Sequence, residues 1–277
     1  MHLSEINVYP IKSLGGVLLQ SSLVENRGLQ FDRRWMLVNE RNHFLTQRDF
    51  PKMATVGVEI IDDGLRVSSG GETLDISFAP ETCETASVKI WSSRCRARVY
   101  EKKINQWFSD VLKTTCRLVL MTEDARRRVS YFHAIHENDV VSFADGYPFL
   151  LTGENSLANL NSRLDAPVSM NRFRPNLVVN DSGAFAEDEW KKIKIGAVVF
   201  HVVKPCARCV ITTIDQRRGV KTGAEPLKTL ATYRIPRRSV KKKILFGQYL
   251  IAENFGAVLN VGDKIEVVEI KNSLEFR

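Results

Sequence analysis

Two cysteines three positions apart are the residues of this sequence best suited to chemistry. Cys206 and Cys209 enclose Arg208 and follow Pro205 at the end of an apolar run. Three chemistries use such a pair: structural zinc, thioredoxin-type redox exchange, and a metal held by a single thiolate. Structural zinc needs four ligands, and His201 is the only other plausible ligand nearby in the sequence.

The residues after Cys209 argue against the thioredoxin type, whose cysteines lie at a helix N-terminus. The β-branched run over residues 210–214 predicts a strand instead. A single metal-ligating thiolate with a second thiol nearby therefore remains, and the charge of Arg208 favours a thiolate. Two buried structural cysteines are the alternative that spacing alone leaves open. A soft thiolate suits molybdenum, whose oxo groups complete its coordination and whose pterin phosphate needs Arg, Lys and backbone N–H groups.

Composition describes an ordinary soluble protein of 277 residues with a formal charge of +8. The five cysteines are odd in number and mostly scattered, which indicates free thiols in a reducing cytosol. The first residues lack the basic start and apolar run of a signal peptide, and no stretch approaches a membrane span. We therefore expect a cytoplasmic protein without a membrane partner. Basic clusters at 126–128 and 234–243 are read as solvated loops, with phosphate or nucleic-acid contact as the alternative.

The period of the apolar residues predicts a β-rich α+β fold in two domains. Turns at Asp62-Asp63-Gly64 and Ser69-Gly70-Gly71 separate short strands, which is typical of a small barrel or sandwich. A helix is predicted at 102–113, with Ile104, Trp107, Phe108 and Val111 on one face, and another after Gly153, with Leu157, Leu160 and Leu164 on its apolar side. The strands predicted elsewhere span 3–8, 35–38, 177–179, 197–203, 211–214, 249–252 and 265–270. The change of period places the domains at 1–118 and 119–270.

Seven sequence blocks, in order along the chain, resemble those of the MOSC proteins. The blocks are Tyr9-Pro10-Ile11-Lys12-Ser13, Phe31-Asp32-Arg33-Arg34-Trp35-Met36-Leu37, Phe143-Ala144-Asp145-Gly146-Tyr147-Pro148-Phe149, Phe173-Arg174-Pro175-Asn176, Val203-Lys204-Pro205-Cys206-Ala207-Arg208-Cys209 with Thr212-Thr213, Glu225-Pro226-Leu227 and Phe246-Gly247-Gln248. That family includes the C-terminal domain of molybdenum cofactor sulfurases, the mitochondrial amidoxime-reducing component and bacterial YcbX, and the YcbX type resembles this sequence most. The resemblance implies an N-terminal β-barrel-like domain followed by a MOSC β-barrel domain with peripheral helices.

The resemblance also assigns roles to single residues. Cys209 matches the molybdenum ligand, and Cys206 matches a cysteine that does not bind the metal. Asp145 matches a carboxylate beside the metal, which donates a proton or bonds the substrate; on its own it could equally be a loop residue before Gly146. The residues implied in cofactor binding are Lys12, Ser13, Arg33, Gly146, Tyr147, Arg174, Asn176 and Arg208.

By resemblance, the reaction is the reduction of N-hydroxylated compounds, such as hydroxylamino purines and amidoximes, to amines. The alternative is a carrier that transfers molybdenum cofactor, or sulfur as a persulfide on Cys209. YcbX continues into a ferredoxin-like iron–sulfur domain, whereas this sequence has no further cysteine cluster, so we expect no iron–sulfur centre and a separate reductase or ferredoxin-like electron donor. No pyridoxal phosphate is expected. Nucleic-acid binding through 234–243 has weak support, because no aromatic residue beyond Tyr233 accompanies that stretch.

Overall fold

Strands dominate the computed structural model, with 40% of the chain in strands and 15% in helices. The β-rich α+β class predicted from the sequence is confirmed. The structure describes residues 1–238, 240–272 and 274–276, so Ser239, inside the basic stretch 234–243, lies outside the described residues. Within those ranges, none of the helices combines the length and the apolar character needed to cross a bilayer.

The elements follow one another along the chain with short connections. The strands are β1 (Leu3–Val8), β2 (Val17–Leu19), β3 (Ser21–Glu25), β4 (Gly28–Leu29), β5 (Trp35–Val38), β6 (Gly57–Ile61), β7 (Gly64–Ser69), β8 (Glu72–Ser77), β9 (Thr85–Ile90), β10 (Ser93–Val99), β11 (Arg117–Met121), β12 (Phe149–Gly153), β13 (Leu177–Val179), β14 (Trp190–Ile195), β15 (Val198–Ala207), β16 (Ile214–Asp215), β17 (Val220–Lys221), β18 (Leu245–Ala252), β19 (Val258–Asn260) and β20 (Ile265–Ile270). The α-helices are α1 (Lys102–Leu112), α2 (Glu154–Asn161) and α3 (Leu227–Tyr233). One-turn 3-10 helices lie at Pro51–Thr55, Met170–Arg172, Ala186–Asp188 and Val210–Thr213.

The largest sheet combines strands from both ends of the chain. Its order is β2-β1-β13-β12-β18-β15-β14-β20, and β1 runs antiparallel to β13 with Ile6 opposite Leu177. Leu3, Ile6 and Val8 of β1 are buried in one cluster with residues of β15 and β18. The first strand is therefore part of the core of the C-terminal half, and the predicted boundary near residue 118 stays a prediction.

The N-terminal half has its own core beside this sheet. The sheets β5-β11-β10-β9 and β6-β7-β8 surround it, and the turns predicted around residues 62–64 and 69–71 join β6 to β7 and β7 to β8. Helix α1 covers this core with the face predicted from its period: Phe108 and Val111 are buried, and Ile104 and Trp107 pack against the same cluster.

Several local predictions were wrong, each because tertiary context overrides a local pattern. The β-branched run after Cys209 forms the 3-10 helix Val210–Thr213, and a strand begins only at Ile214. Leu164 lies beyond the end of α2, although it packs against the same cluster as Leu157 and Leu160. Two arginines of the basic clusters are buried instead of solvated: Arg127 is 5% exposed and donates to the Ser142 carbonyl, and Arg234 is 3% exposed and paired with Asp188 at 2.6 Å.

Candidate cofactor site

Segments from both halves of the chain meet at one cleft beside the end of β15. The residues predicted for the site that line this cleft are Lys12, Ser13, Arg33, Asp145, Tyr147, Arg174, Asn176, Cys206, Arg208 and Cys209. Gly146 is half-buried and does not line it. The cleft thus gathers residues that are as much as 197 positions apart in the sequence, namely Lys12 and Cys209.

The two cysteines of the pair differ in their surroundings. Burial raises the pKa of Cys206, and the nearby charge of Arg208 lowers it less, so this thiol keeps its proton. Cys209 is half-buried, and Arg48 Nη2 donates to its Sγ at 3.2 Å. Arg208 instead donates to the carbonyls of Phe246 at 2.7 Å and Phe173 at 2.9 Å. The guanidinium beside Cys209 is therefore that of Arg48.

Asp145 lies at the mouth of the cleft in an ion pair with Lys12. Lys12 Nζ is 2.7 Å from Asp145 Oδ1, and the indole N–H of Trp91 donates to the same oxygen at 3.3 Å. Partial removal from water would raise the pKa of Asp145, but Lys12 and then Arg48 outweigh it and hold that pKa well below its usual range. Burial lowers the pKa of Lys12 to about 8, although Asp145 opposes this shift. Near neutral pH the carboxyl is ionised and Lys12 carries the proton.

The floor of the cleft is a cluster of arginines around Tyr9. The guanidinium carbons of Arg33 and Arg174 lie 4.3 Å and 4.1 Å from the centre of the Tyr9 ring. Arg33 Nη1 donates to both oxygens of the buried Asp32 and to Asn176 Oδ1 at 3.2 Å. These contacts fix both guanidinium groups before any ligand arrives.

The backbone at the site is strained at several of its contact residues. Ser13, Arg33 and Arg174 have φ values of 69°, 50° and 53°, in the left-handed region that residues with a side chain seldom adopt. Such conformations persist where the surrounding structure enforces them, and they cluster at functional sites.

Two arginines of the cleft, Arg174 and Arg208, each have one guanidinium nitrogen that no described residue bonds. Arg174 Nη2 and Arg208 Nη2 are buried and make no hydrogen bond within the described residues. Gly247 lies beside the second of them: a Cβ there would be 3.3 Å from Arg208 Nη2 and only 2.7 Å from the Leu151 carbonyl oxygen. Buried cationic donors without partners are costly and are satisfied by an anion.

The donor set also limits the kind of metal. Among the residues that the structure describes, no group of three or more His, Cys, Asp or Glu side chains could hold a metal ion. A metal bound at Cys209 would therefore take most of its ligands from a source other than these side chains. A pterin-bound molybdenum fits, because its organic part supplies both further ligands and an anionic phosphate for the unpartnered arginines.

Some residues that line or contact the cleft are not marked by any motif or spacing in the sequence. Arg48 follows Gln47 in an unremarkable polar segment, and Trp91 lies in the turn between β9 and β10. Arg172 also lines the cleft and reaches Asp215 at 3.5 Å. Their contacts join residues far apart in the chain, so only the fold reveals them.

The geometry defines a β-rich fold whose cleft places one half-buried cysteine beside buried arginines, and the sequence comparisons give its family. Residues 1–115 match the MOSC N-terminal beta barrel domain and residues 138–266 match the MOSC domain. The chain belongs to the family of MOSC proteins that carry both domains.

Curated relatives agree over most of the chain. Mitochondrial amidoxime-reducing component 1 of Mus musculus is 34% identical over 276 residues, which cover 95% of this chain and 81% of the relative. The Homo sapiens protein of the same name is 33% identical with the same coverage. Molybdenum cofactor sulfurase of Oryza sativa subsp. japonica is 31% identical over 92% of this chain and 33% of its own length. These matches support a function related to molybdenum cofactor, while the particular likeness to YcbX stays a prediction.

Proposed function

We propose that this protein is a molybdenum-cofactor-dependent reductase of N-hydroxylated compounds, such as hydroxylamino purines and amidoximes, which it converts to amines and water. The observation that carries the proposal is the cleft, where Cys209 lies beside arginines with unpartnered nitrogens at Arg174 and Arg208. The relatives whose names describe amidoxime reduction supply the substrate class.

Each side chain of the cleft then has a defined task. Cys209 binds the metal, and Arg174, Arg208 and Arg33 bind the phosphate and pterin through charge-assisted hydrogen bonds. Lys12, Ser13, Tyr147, Asn176 and the backbone at Gly146 complete the contacts. When bound, the cofactor would supply the two-electron redox chemistry of the reaction.

Proton movement falls to Asp145 and Lys12. Reduction of an N–OH bond consumes two electrons and two protons and releases water, so a proton source must lie close to the leaving oxygen. With Asp145 ionised, its carboxylate accepts a hydrogen bond from the N–H or O–H of the substrate. Lys12, at 2.7 Å from Asp145, holds the proton that the pair can release. Electrons come from a separate reductase or ferredoxin-like protein, and the reaction takes place in the cytoplasm.

Metal content tests the proposal directly. The protein, made in cells that synthesise molybdenum cofactor, should hold about one molybdenum and one pterin per chain, because a single thiolate ligates a single metal. Cys209→Ser should lose the metal, since a hydroxyl is a harder ligand of much higher pKa. Cys206→Ser is the matched control and should keep most of it. Equal loss of molybdenum in both variants would contradict the roles given to the pair.

The carrier function makes a different prediction for the same samples. A carrier releases its cofactor readily on dilution and gel filtration, and a persulfide on Cys209 adds the mass of one sulfur atom to intact protein. A reductase instead keeps its molybdenum and reduces benzamidoxime with a chemical electron donor. If the metal is readily lost and the sulfur adduct is found, the reductase function would be contradicted and the carrier function supported.

A further inference from the structure

A side pocket adjoins the cofactor cleft and shares Thr46 and Arg48 with it. Its volume is about 240 Å³, and its lining residues are His43, Phe44, Thr46, Arg48, Asp49, Lys89 and Trp91. None of these residues belongs to the predicted site. The pocket opens where the turn after β9 meets the segment after β5, and the carbonyl of Lys89 accepts the N–H of Phe44 at 3.2 Å.

Two aromatic rings form one wall of the side pocket. The rings of Phe44 and Trp91 meet at 5.0 Å and 61°, and Trp91 remains 42% exposed. The guanidinium carbon of Arg48 lies 4.8 Å from the Trp91 ring. Trp91 also has a left-handed φ of 53°, because it lies in the two-residue hairpin turn that joins β9 to β10.

The same residues reach into the cofactor cleft. Trp91 donates to Asp145 at 3.3 Å, and Arg48 donates to Cys209 Sγ at 3.2 Å. A planar ring lying against Trp91 is therefore next to the residues that contact Asp145 and Cys209, where the proposed reaction takes place.

The far side of the pocket is cationic. Arg48 and Lys89 line the pocket together with Asp49, whose Oδ2 already accepts the Thr46 hydroxyl at 3.3 Å, and His43 adds a further donor. In the described part of the chain, the Lys89 ammonium makes no hydrogen bond or ion pair that would compete with a ligand. An aromatic wall next to the Lys89 ammonium recognises a flat ring that carries an anion.

We propose that the side pocket binds the ring and the anionic group of the substrate, so that the preferred substrates are N-hydroxylated nucleotides and not the free bases. The base lies against Trp91 and Phe44, its hydroxylamino group points to Asp145 and Cys209, and its phosphate binds Lys89 and His43. This inference rests on the proposed reductase function and narrows its substrate class.

Calorimetric titration of the whole protein with unreactive probes tests this pocket without any turnover. Adenosine 5′-monophosphate should bind about tenfold more tightly than adenosine and than ribose 5-phosphate, since a charge-assisted contact and a stacked base each contribute about that factor. In Lys89→Ala, the affinity for adenosine 5′-monophosphate should fall to the affinity for adenosine. Trp91→Ala should weaken both adenosine probes by about tenfold. Lys103→Ala, an exposed lysine on α1, is the matched control and should change each affinity by less than about twofold.

Reduction of acetamidoxime, a small substrate without a ring, separates the two proposals. Equal affinities for the nucleotide and the nucleoside, in a protein that reduces acetamidoxime, would overturn the side-pocket assignment and keep the reductase. Unchanged nucleotide binding in both Trp91→Ala and Lys89→Ala would overturn it as well. A protein that binds the nucleotide more tightly than the nucleoside but reduces no N-hydroxylated compound would overturn the reductase proposal. The bound nucleotide would then not be a substrate.

Discussion

Asp145 is held ionised by the groups around it, and this decides what it can do in a reaction. Lys12 and Arg48 outweigh its partial removal from water, so its pKa stays well below the usual range. We expect Asp145→Asn to keep the cofactor but to lower turnover of benzamidoxime by roughly 10–100-fold, because the variant loses the charged acceptor for the substrate and a hydrogen bond to a charged group contributes about 1.5–3 kcal/mol. Molybdenum content and rate are measured on the same sample. Asp110→Asn, exposed on α1, is the control, and full activity of Asp145→Asn would leave Asp145 a loop residue.

Lys12 sets the alkaline limit of the reaction if it supplies the proton. Burial lowers its pKa to about 8, so the protonated fraction falls as pH rises through that value. The rate at saturating substrate should therefore decline above about pH 8. Lys12→Arg keeps a positive charge at every accessible pH but is a far poorer acid, so its rate should be low and should show no decline near pH 8. An unchanged alkaline limb in Lys12→Arg would assign the limit to another group.

At the scale of elements, a buried carboxyl joins the end of β12 to the start of α2. Glu187, in the 3-10 helix Ala186–Asp188, accepts hydrogen bonds from Ser156 Oγ at 2.8 Å and from the Gly153 N–H at 3.2 Å. Burial raises its pKa. The folded state therefore binds this proton more tightly than the unfolded state, so its contribution to stability is full below the unfolded value and is lost as pH rises through the folded one.

Glu187→Gln should remove that dependence on pH. We expect the free energy of unfolding of the variant, from urea titrations between pH 4.5 and pH 7, to fall less steeply with pH than that of the wild type. The difference between the two curves isolates Glu187 from the other titrating groups. Parallel curves would show that this carboxyl titrates alike in the folded and unfolded chain.

The start of β4 approaches the residue before β12 so closely that only glycine fits. Gly28 has a φ of +120°, and a Cβ there would lie 2.7 Å from the Pro148 carbonyl oxygen. Gly28→Ala should lower the free energy of unfolding by about 2–4 kcal/mol, combining backbone strain with overpacking. Gly71→Ala is the matched control: its φ is +88° but no atom lies within 4 Å of the added Cβ, so about 1–2 kcal/mol is expected. Equal losses in thermal or urea unfolding would contradict the steric reason.

At the scale of the whole molecule, the cofactor cleft depends on residues from both halves of the chain. Lys12→Ala combined with Arg33→Ala should lower pterin content far more than Lys241→Ala combined with Lys242→Ala, since each charge-assisted bond contributes on the order of 1.5–3 kcal/mol. Pterin fluorescence after oxidation measures the content, and a thermal melt checks the fold.

The melt is needed because Arg33 also pairs with the buried Asp32 at 2.7 Å. Arg33→Lys keeps a charge near Asp32 but loses the forked geometry, so it separates loss of the fold from loss of cofactor contacts. If the variant with both Lys12→Ala and Arg33→Ala is folded and its pterin content is unchanged, cofactor binding would be confined to the C-terminal half. Bound cofactor should also raise the melting temperature of the wild type, because a ligand that binds the folded state alone stabilises it.

Much of this arrangement can be predicted from the sequence where a motif or a period carries it. The face of α1 follows from its apolar spacing, and Cys209, Asp145 and Arg174 follow from motif blocks that the fold brings to one cleft. Arg48 and Trp91 could not be predicted from the sequence. They belong to the site through contacts with Cys209 and Asp145, which lie 161 and 54 positions away in the chain. The strand wrongly predicted after Cys209 has the same cause: tertiary contacts decide the conformation of a short β-branched run.

The left-handed backbone at Ser13, Arg33, Arg174 and Trp91 has a consequence for anyone who engineers this protein. Each residue costs about 1 kcal/mol or more relative to a glycine at the same φ, so a search for thermostable variants will favour glycine where the side chain makes no compensating ion pair, unlike Arg33 with its buried partner Asp32. Those replacements delete side chains that line the cleft and the side pocket. Selection for heat resistance alone will therefore yield stable variants that lack the proposed activity. Useful stabilisation has to come from positions outside the cleft.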